Sequence, residues 1–310
     1  MKKISVLVPT LNEEENVEDL VFELEEQLKV MNNYDYEIVF IDNSSSDNTK
    51  KIIEDLCSKN AKIKAIFNSR NFGGIRSAIY GILQVTGDCV VMFSADFQDP
   101  IELIPRFVAE WEKGYEAVCG VKTSDKEFFL MRRIRALAYT IIGKYSNINH
   151  IKHFDGVGLY DRSFIEKVRK LAENDVEIQL RNLVTELNVK YSTVEFEHQK
   201  RRKGKSKQKF FGLYNYGINS MISYTKVLPR VSLVIGIIVS ILSAIVLLIG
   251  LIYGLINGLE SQVLLIGISL ITFLLGLNLF FIAILGEYIM AINTRIMKRP
   301  LVLEEKRINF

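Results

Sequence analysis

Cysteine is scarce in this chain. Three residues of 310, Cys57, Cys89 and Cys119, are scattered and odd in number. They exclude a disulfide framework and a cysteine-spaced metal site, and they fit a reducing compartment. Charge imbalance is also lacking. The net charge is +3, so no global field points to nucleic acid, and no nucleic-acid partner is expected. There is no internal repeat and no low-complexity segment. No signal peptide is expected, since the first residues run straight into a strand-like pattern. The most informative absence is that of charge near the C-terminus. No charged residue lies between Arg230 and Glu260, and none between Glu260 and Glu287.

A helix needs about 20 apolar residues to cross a bilayer core of about 30 Å. Both uncharged runs are long enough, with some to spare for tilt, and spans are expected at 231–256 and 263–285. Two buried helices of a large soluble core are the alternative, disfavoured by the adjacency of two such runs. Positive charge is local. Lys200, Arg201, Arg202, Lys203, Lys205, Lys207 and Lys209 precede the first run, and Arg295, Lys298 and Arg299 follow the second. The linker from Asn257 to Gln262 carries no Lys or Arg. The positive-inside rule then puts both basic flanks, and the large N-terminal region, in the cytoplasm. The expected organisation is a cytoplasmic domain at 1–209, an amphipathic juxtamembrane segment at 210–229, two transmembrane helices within 230–287 and a cytoplasmic tail at 288–310. Phe210, Tyr214, Ile218 and Met221 recur at helical spacing, a face suited to the membrane surface or to a second copy of the chain.

The N-terminal half alternates strand and helix patterns. Ile4–Val8, Tyr36–Ile41, Ile63–Phe67 and Cys89–Phe93 read as strands. Val17, Leu20, Val21, Leu24 and Leu28 recur at helical spacing, and further helices are expected over 48–58 and 74–85. Repeated βα units with near-continuous apolar strands predict an α/β domain: a mostly parallel sheet with helices on both faces. Further strands are expected at 117–120 and 191–196, and helices at 128–144 and 177–187.

Ligands in such sheets bind outside the C-terminal ends of the strands. Four strand ends carry polar clusters: Pro9 to Glu14, Asp42 to Thr49, Asn68 to Gly74, and Ser94 to Pro100. Some of these residues have a purely structural reading. Asn12 suits a cap for the following helix, Asp47 an N-cap, and Asp99-Pro100-Ile101-Glu102 a helix start, with Asp99 open between cap and site. Asp42 and Asp96 stand at the strand ends themselves, where a lone carboxylate suits a ribose hydroxyl or a divalent cation.

The ordered set of motifs resembles the GT-A type family 2 glycosyltransferases, in the polyprenyl-phosphate group related to dolichol-phosphate-mannose synthases. Pro9-Thr10-Leu11-Asn12-Glu13-Glu14 resembles P-x-x-N-E-E, and Asp42-Asn43-Ser44-Ser45-Ser46-Asp47 resembles D-D-G-S-x-D. Ser94-Ala95-Asp96-Phe97-Gln98-Asp99-Pro100 resembles D-A-D-L-Q-D-P, and Arg202-Lys203-Gly204-Lys205-Ser206-Lys207 resembles R-x-G-x-S-K. Arg70-Asn71-Phe72-Gly73 and the two C-terminal spans match as well. The resemblance implies a Rossmann-like GT-A fold and the inner (plasma) membrane. It implies a nucleotide-sugar donor held by Pro9, Asn12, Glu13, Asp42, Asn71, Ser94, Ala95 and Asp96. Mg²⁺ or Mn²⁺ would be held by Asp96 and Gln98. The phosphate groups would meet Arg202, Lys205, Ser206 and Lys207, with Asp96, Asp155 and Arg202 closest to the chemistry. Two positions depart from the pattern: Ser94 replaces the first aspartate of D-x-D and Asn43 the second of D-D.

The reaction this implies is inverting transfer of one sugar, with glucose from UDP-glucose the first expectation, to undecaprenyl phosphate for cell-envelope glycosylation. A processive polysaccharide synthase is disfavoured. Gln179-Leu180-Arg181-Asn182 lacks the tryptophan of Q-x-x-R-W, the only tryptophan is Trp111, and two spans are too few for a channel. A membrane-tethered nucleotide-sugar-binding scaffold without turnover is the remaining alternative, motivated by Ser94 and Asn43.

Overall fold

The computed structural model describes residues 1–123, 151–203 apart from 174, 176 and 177, then 261–296 and 300–310, with isolated helical positions at 238, 245 and 252. The chain divides into two compact units: 1–134 with 148–207 and 297–310, and 135–147 with 208–296.

The first unit is built on an eight-stranded sheet of order β7-β5-β6-β4-β1-β2-β3-β8. Its strands are β1 (Lys2–Thr10), β2 (Tyr34–Asp42), β3 (Ile63–Asn68), β4 (Cys89–Met92), β5 (Ala117–Lys122), β6 (Phe154–Asp161), β7 (Tyr191–Phe196) and β8 (Glu304–Ile308). The helices of this unit are α1 (Val17–Val30), α2 (Thr49–Lys59), α3 (Gly74–Gln84), α4 (Leu103–Trp111), α5 (Arg162–Ala172) and α6 (Leu180–Glu186). Strands β1 to β4 pair in parallel. Strand β7 pairs in parallel with β5, whereas β6 runs antiparallel to β4 and β5 and β8 antiparallel to β3, so the sheet is mixed.

Strand periodicity assigns the two faces. Ile4, Val6 and Val8 pack with Leu20, Leu24 and Leu28 of α1, Ile53 of α2 and Phe107 of α4. Leu7 points the other way, with Val39, Ile41 and Ile66, toward Ile79 and Ile82 of α3 and Phe164 and Val168 of α5. Burial on both faces is why these strands read as continuous apolar runs. All four parallel strands therefore deliver their C-terminal ends, and the polar loops behind them, to one edge.

The C-terminal segment departs from the expected tail. Leu301 and Val302 are buried in the core, and β8 completes the sheet beside β3. Asn309 Nδ2 donates to the carbonyls of Cys57 and Ile63, both at 2.8 Å.

In the second unit, α7 (Ser261–Ile296) is a continuous helix of 36 residues. Among the described residues no helix is long and apolar enough to cross a membrane, so neither expected span is established. The juxtamembrane segment 210–229 and nearly all of 231–256 lie outside the described residues.

Candidate functional site at the strand ends

The loops after β1 and β2 are tied to each other. Ser45 Oγ receives the Asn12 amide at 2.8 Å, and Asn12 Oδ1 receives the Ser46 amide at 2.7 Å. Asn12 thus bridges two strand ends and does not cap α1, whose N-cap is Asn16. Thr49 Oγ1 accepts from the Glu13 amide at 2.8 Å, and Glu14 accepts from both the amide and the side chain of Asn48. Asp47 accepts from the Thr49 amide at 3.0 Å, at the start of α2. Asp42 is 1% exposed and accepts from the Ser45 amide at 2.9 Å and from its hydroxyl. Burial raises its carboxyl above the ordinary range, with the Ser45 bonds opposing. Asp42 therefore holds the shape of the turn.

Asn43 explains one of the two departures from the family pattern. Its Oδ1 accepts from Asn68 Nδ2 at 3.1 Å and the Phe72 amide at 2.9 Å, while its Nδ2 donates to Asn71 Oδ1 at 2.9 Å. An aspartate could accept the first two of these bonds but not make the third, since it has no N–H to give. Asn71 Oδ1 also accepts from the Gly73 amide at 2.8 Å, where φ is +86° and only glycine is relaxed.

The loop after β4 carries the other departure. Ser94 Oγ donates to Asp99 Oδ2 at 2.5 Å, and Asp99 is 2% exposed. Asp99 caps no helix, because α4 has Glu102 at its N-cap without a side-chain bond. Burial pushes the Asp99 carboxyl up to about 6; the Ser94 bond and Lys122 oppose, and the nearby Asp155 and Asp96 charges add. Asp96 Oδ1 accepts from the Gln98 amide at 3.2 Å. Asp155 sits on β6 with Oδ2 2.5 Å from Lys122 Nζ. Three of these loops hold a non-glycine residue in the left-handed region: Asn12 at φ 55°, Ser44 at 66° and Phe97 at 58°. Such conformations cost energy and cluster at ligand clamps.

The basic segment lies against this edge. The Gln199 amide donates to the Gln98 carbonyl at 2.9 Å, and the Arg202 guanidinium lies 4.0 Å from the centre of the Phe97 ring. Arg202 also pairs with Glu23, Arg201 with Glu13, and Lys203 Nζ with Asp19 at 2.9 Å. Asp96 and Arg202 thus flank one loop. Lys205, Ser206 and Lys207 lie outside the described residues. No sequence motif marks Lys122, Glu23 or Arg201 as a site residue. Arg201 was visible only as one cation of a run, and Lys122 and Glu23 reach the site through folding alone.

The donors here suit a hard divalent cation. Asp96 and Gln98 offer oxygens, and Asp99 Oδ1 is buried without a partner among the described residues. Among the described residues no three His, Cys, Asp or Glu side chains are grouped to hold a metal by themselves. A sparse set of this kind fits Mg²⁺ or Mn²⁺ shared with substrate phosphates.

The glycosyl transferase family 2 model matches residues 5–169. CsbB of Bacillus subtilis (strain 168) is 31% identical over 300 residues, covering 96% of this chain and 89% of that protein. The bactoprenol glucosyl transferase of Shigella phage SfX is 29% identical over 307 residues, covering 98% and 99%. The SfII prophage-derived bactoprenol glucosyl transferase of Shigella flexneri is 29% identical over 306 residues, covering 98% of each.

Proposed function

The chain belongs to glycosyl transferase family 2, and from that premise we propose that it moves a single glucose from UDP-glucose to a polyprenyl phosphate at the cytoplasmic face of the plasma membrane. Its α/β domain with a mixed sheet is GT-A-like. The observation that carries the acceptor reading is the docking of the basic segment on the 94–99 loop, through Gln199 on Gln98 and Arg202 on Phe97. A cationic strip beside the donor carboxylates suits a phosphate nucleophile better than a neutral sugar hydroxyl. Relatives with the printed activity of bactoprenol glucosyl transferase, matching almost end to end, support the same acceptor class and glucose.

The chemistry follows from the charges. An acceptor phosphate oxygen attacks the anomeric carbon from the face opposite the leaving group. The new bond is C1–O–P, and the bond from C1 to the diphosphate oxygen breaks with its electron pair. Configuration inverts. The acceptor is already ionised at neutral pH, so no strong base is needed, and Asp155, held by Lys122, orients the reactants. A Mg²⁺ or Mn²⁺ ion, held by Asp96 and Gln98, would offset the charge developing on the diphosphate. Arg202 faces the phosphates once it exchanges Glu23 for substrate, as Arg201 and Lys203 do on releasing Glu13 and Asp19.

Membrane anchoring rests on the sequence and on chain parity. Counting all its residues, α7 is uncharged from Ser261 to Gly286. Residues up to 203 and from 300 onward belong to one folded unit, so a chain that enters the bilayer between them must cross it an even number of times. Two crossings at 231–256 and 263–285 satisfy that, with both termini cytoplasmic. The test is direct. Purified protein receives radiolabelled UDP-glucose, undecaprenyl phosphate and Mg²⁺, and label should enter the organic phase. No lipid-linked label with any common nucleotide-sugar would end the reading.

A further inference from the structure

Position 94 presents a problem of charge. A neutral serine hydroxyl is a poor substitute for a carboxylate beside a divalent cation and a diphosphate. The structure pairs it with a buried acid from five residues on: Ser94 Oγ gives its proton to Asp99 Oδ2 at 2.5 Å. With its proton committed to Asp99, the partly buried Ser94 hydroxyl keeps only acceptor lone pairs for a ligand, on the same loop that carries Asp96. Asp99 itself is 2% exposed, and its second oxygen has no partner among the described residues. Leaving a carboxylate oxygen buried and unpaired costs about 1–3 kcal/mol or more. A loop that needed only a turn-forming residue would not require that.

We infer that Asp99 is a positioning residue for the metal–diphosphate site, acting through Ser94: it polarises the hydroxyl and supplies, one bond further back, the negative charge that a carboxylate at position 94 would supply directly. This rests on the donor reading above. The arrangement is that of an outer carboxylate behind a neutral ligand, which raises ligand basicity and fixes its orientation. Asp155 does not compete for the role, because Lys122 neutralises it at 2.5 Å.

The test measures Mn²⁺ affinity by electron paramagnetic resonance on the full-length protein in detergent with saturating UDP. Asp99→Asn keeps an acceptor for the Ser94 proton and removes the charge, so a purely structural role would survive it. The expected result is a loss of roughly 10- to 100-fold in Mn²⁺ affinity. Ser94→Ala should lose a similar factor, and it removes only a hydroxyl, so it carries the test if Asp99→Asn fails to fold. Ser94→Asp combined with Asp99→Asn moves the carboxylate forward and should restore binding. Wild-type affinity in Asp99→Asn or in Ser94→Ala overturns the inference alone. Absence of Mn²⁺ binding by the wild-type protein with UDP overturns it together with the metal reading, whereas glucosyl transfer by the same preparation would keep the donor reading standing.

Discussion

The guanidinium of Arg202 lies 4.0 Å from the ring centre of Phe97, the residue next to Asp96, and pairs on its far side with Glu23 of α1. One side chain thereby joins the basic segment, the acidic loop after β4 and the first helix. A guanidinium is charged at any working pH, and the Glu23 pair raises its pKa further. Replacing Arg202 by alanine should lower transfer about 10- to 100-fold, the worth of a charge-assisted hydrogen bond to phosphate. Stability should change by no more than about 1 kcal/mol, because the ion pair is half-exposed. UDP affinity measured by calorimetry should stay close to wild type, which would place the loss on the acceptor side.

Asn43 tests the second departure from the family pattern. Asn43→Asp removes the N–H that holds Asn71 Oδ1 and sets a carboxylate against it. The 70–73 loop should loosen, and UDP affinity should fall by roughly 10-fold, as expected for a lost hydrogen bond beside an unpaired charge. Calorimetric titration with UDP checks this. An unchanged affinity would separate the asparagine network from donor binding.

Glu37 governs acid stability away from the site. It is fully buried, which alone would raise its carboxyl, but Lys3 at 2.8 Å, Ser5 at 2.6 Å, Lys64 at 2.9 Å and the Thr86 amide at 2.7 Å outweigh burial and bring it down to about 2. A carboxylate with a depressed folded value stabilises the fold fully above its unfolded value, near 4.5. That stability is lost as pH falls from there through about 2. The contribution is on the order of 3 kcal/mol. Urea titrations of the wild type should show stability falling over that window, and Glu37→Gln should flatten the fall while lowering stability at neutral pH.

Much of this was legible in the chain. Strands β1 to β5 announced themselves because burial on both faces leaves near-continuous apolar runs, and the strand-end loops were therefore locatable; β7, buried only at Val194 and Phe196, was legible through its β-branched and aromatic residues. Strand β6 was not. Asp155, Gly156 and Gly158 interrupt its pattern, and Gly158 is there because a Cβ would lie 2.2 Å from the Val118 carbonyl of β5. Strand β8, Glu304-Glu305-Lys306-Arg307-Ile308, reads as a solvated charge run, as suits an edge strand, and its pairing with β3 depends on contacts far along the chain. Asp99 matched a helix start in sequence. Only its burial and its bond to Ser94 show a different use.

The C-terminal strand makes its own prediction. Leu303 O accepts from the Ser69 amide at 2.9 Å, Glu304 pairs in register with Asn68, and Glu304 accepts from Tyr80 Oη at 2.7 Å. Removing residues 300–310 should cost several kcal/mol, since Leu301 and Val302 alone bury about 1.5–3 kcal/mol each. It should also weaken UDP binding through Asn68 and Asn43. Thermal melts with and without UDP would show a lower midpoint and a smaller ligand-induced shift.

The most direct measurement is the mass of the lipid product. Full-length protein incubated with UDP-glucose, undecaprenyl phosphate and Mg²⁺ should yield a polyprenyl phosphate heavier by one hexose, and Asp96→Ala should yield none while melting like the wild type. No glycosylated lipid from the wild type with any nucleotide-sugar, or undiminished product from Asp96→Ala, would contradict the account.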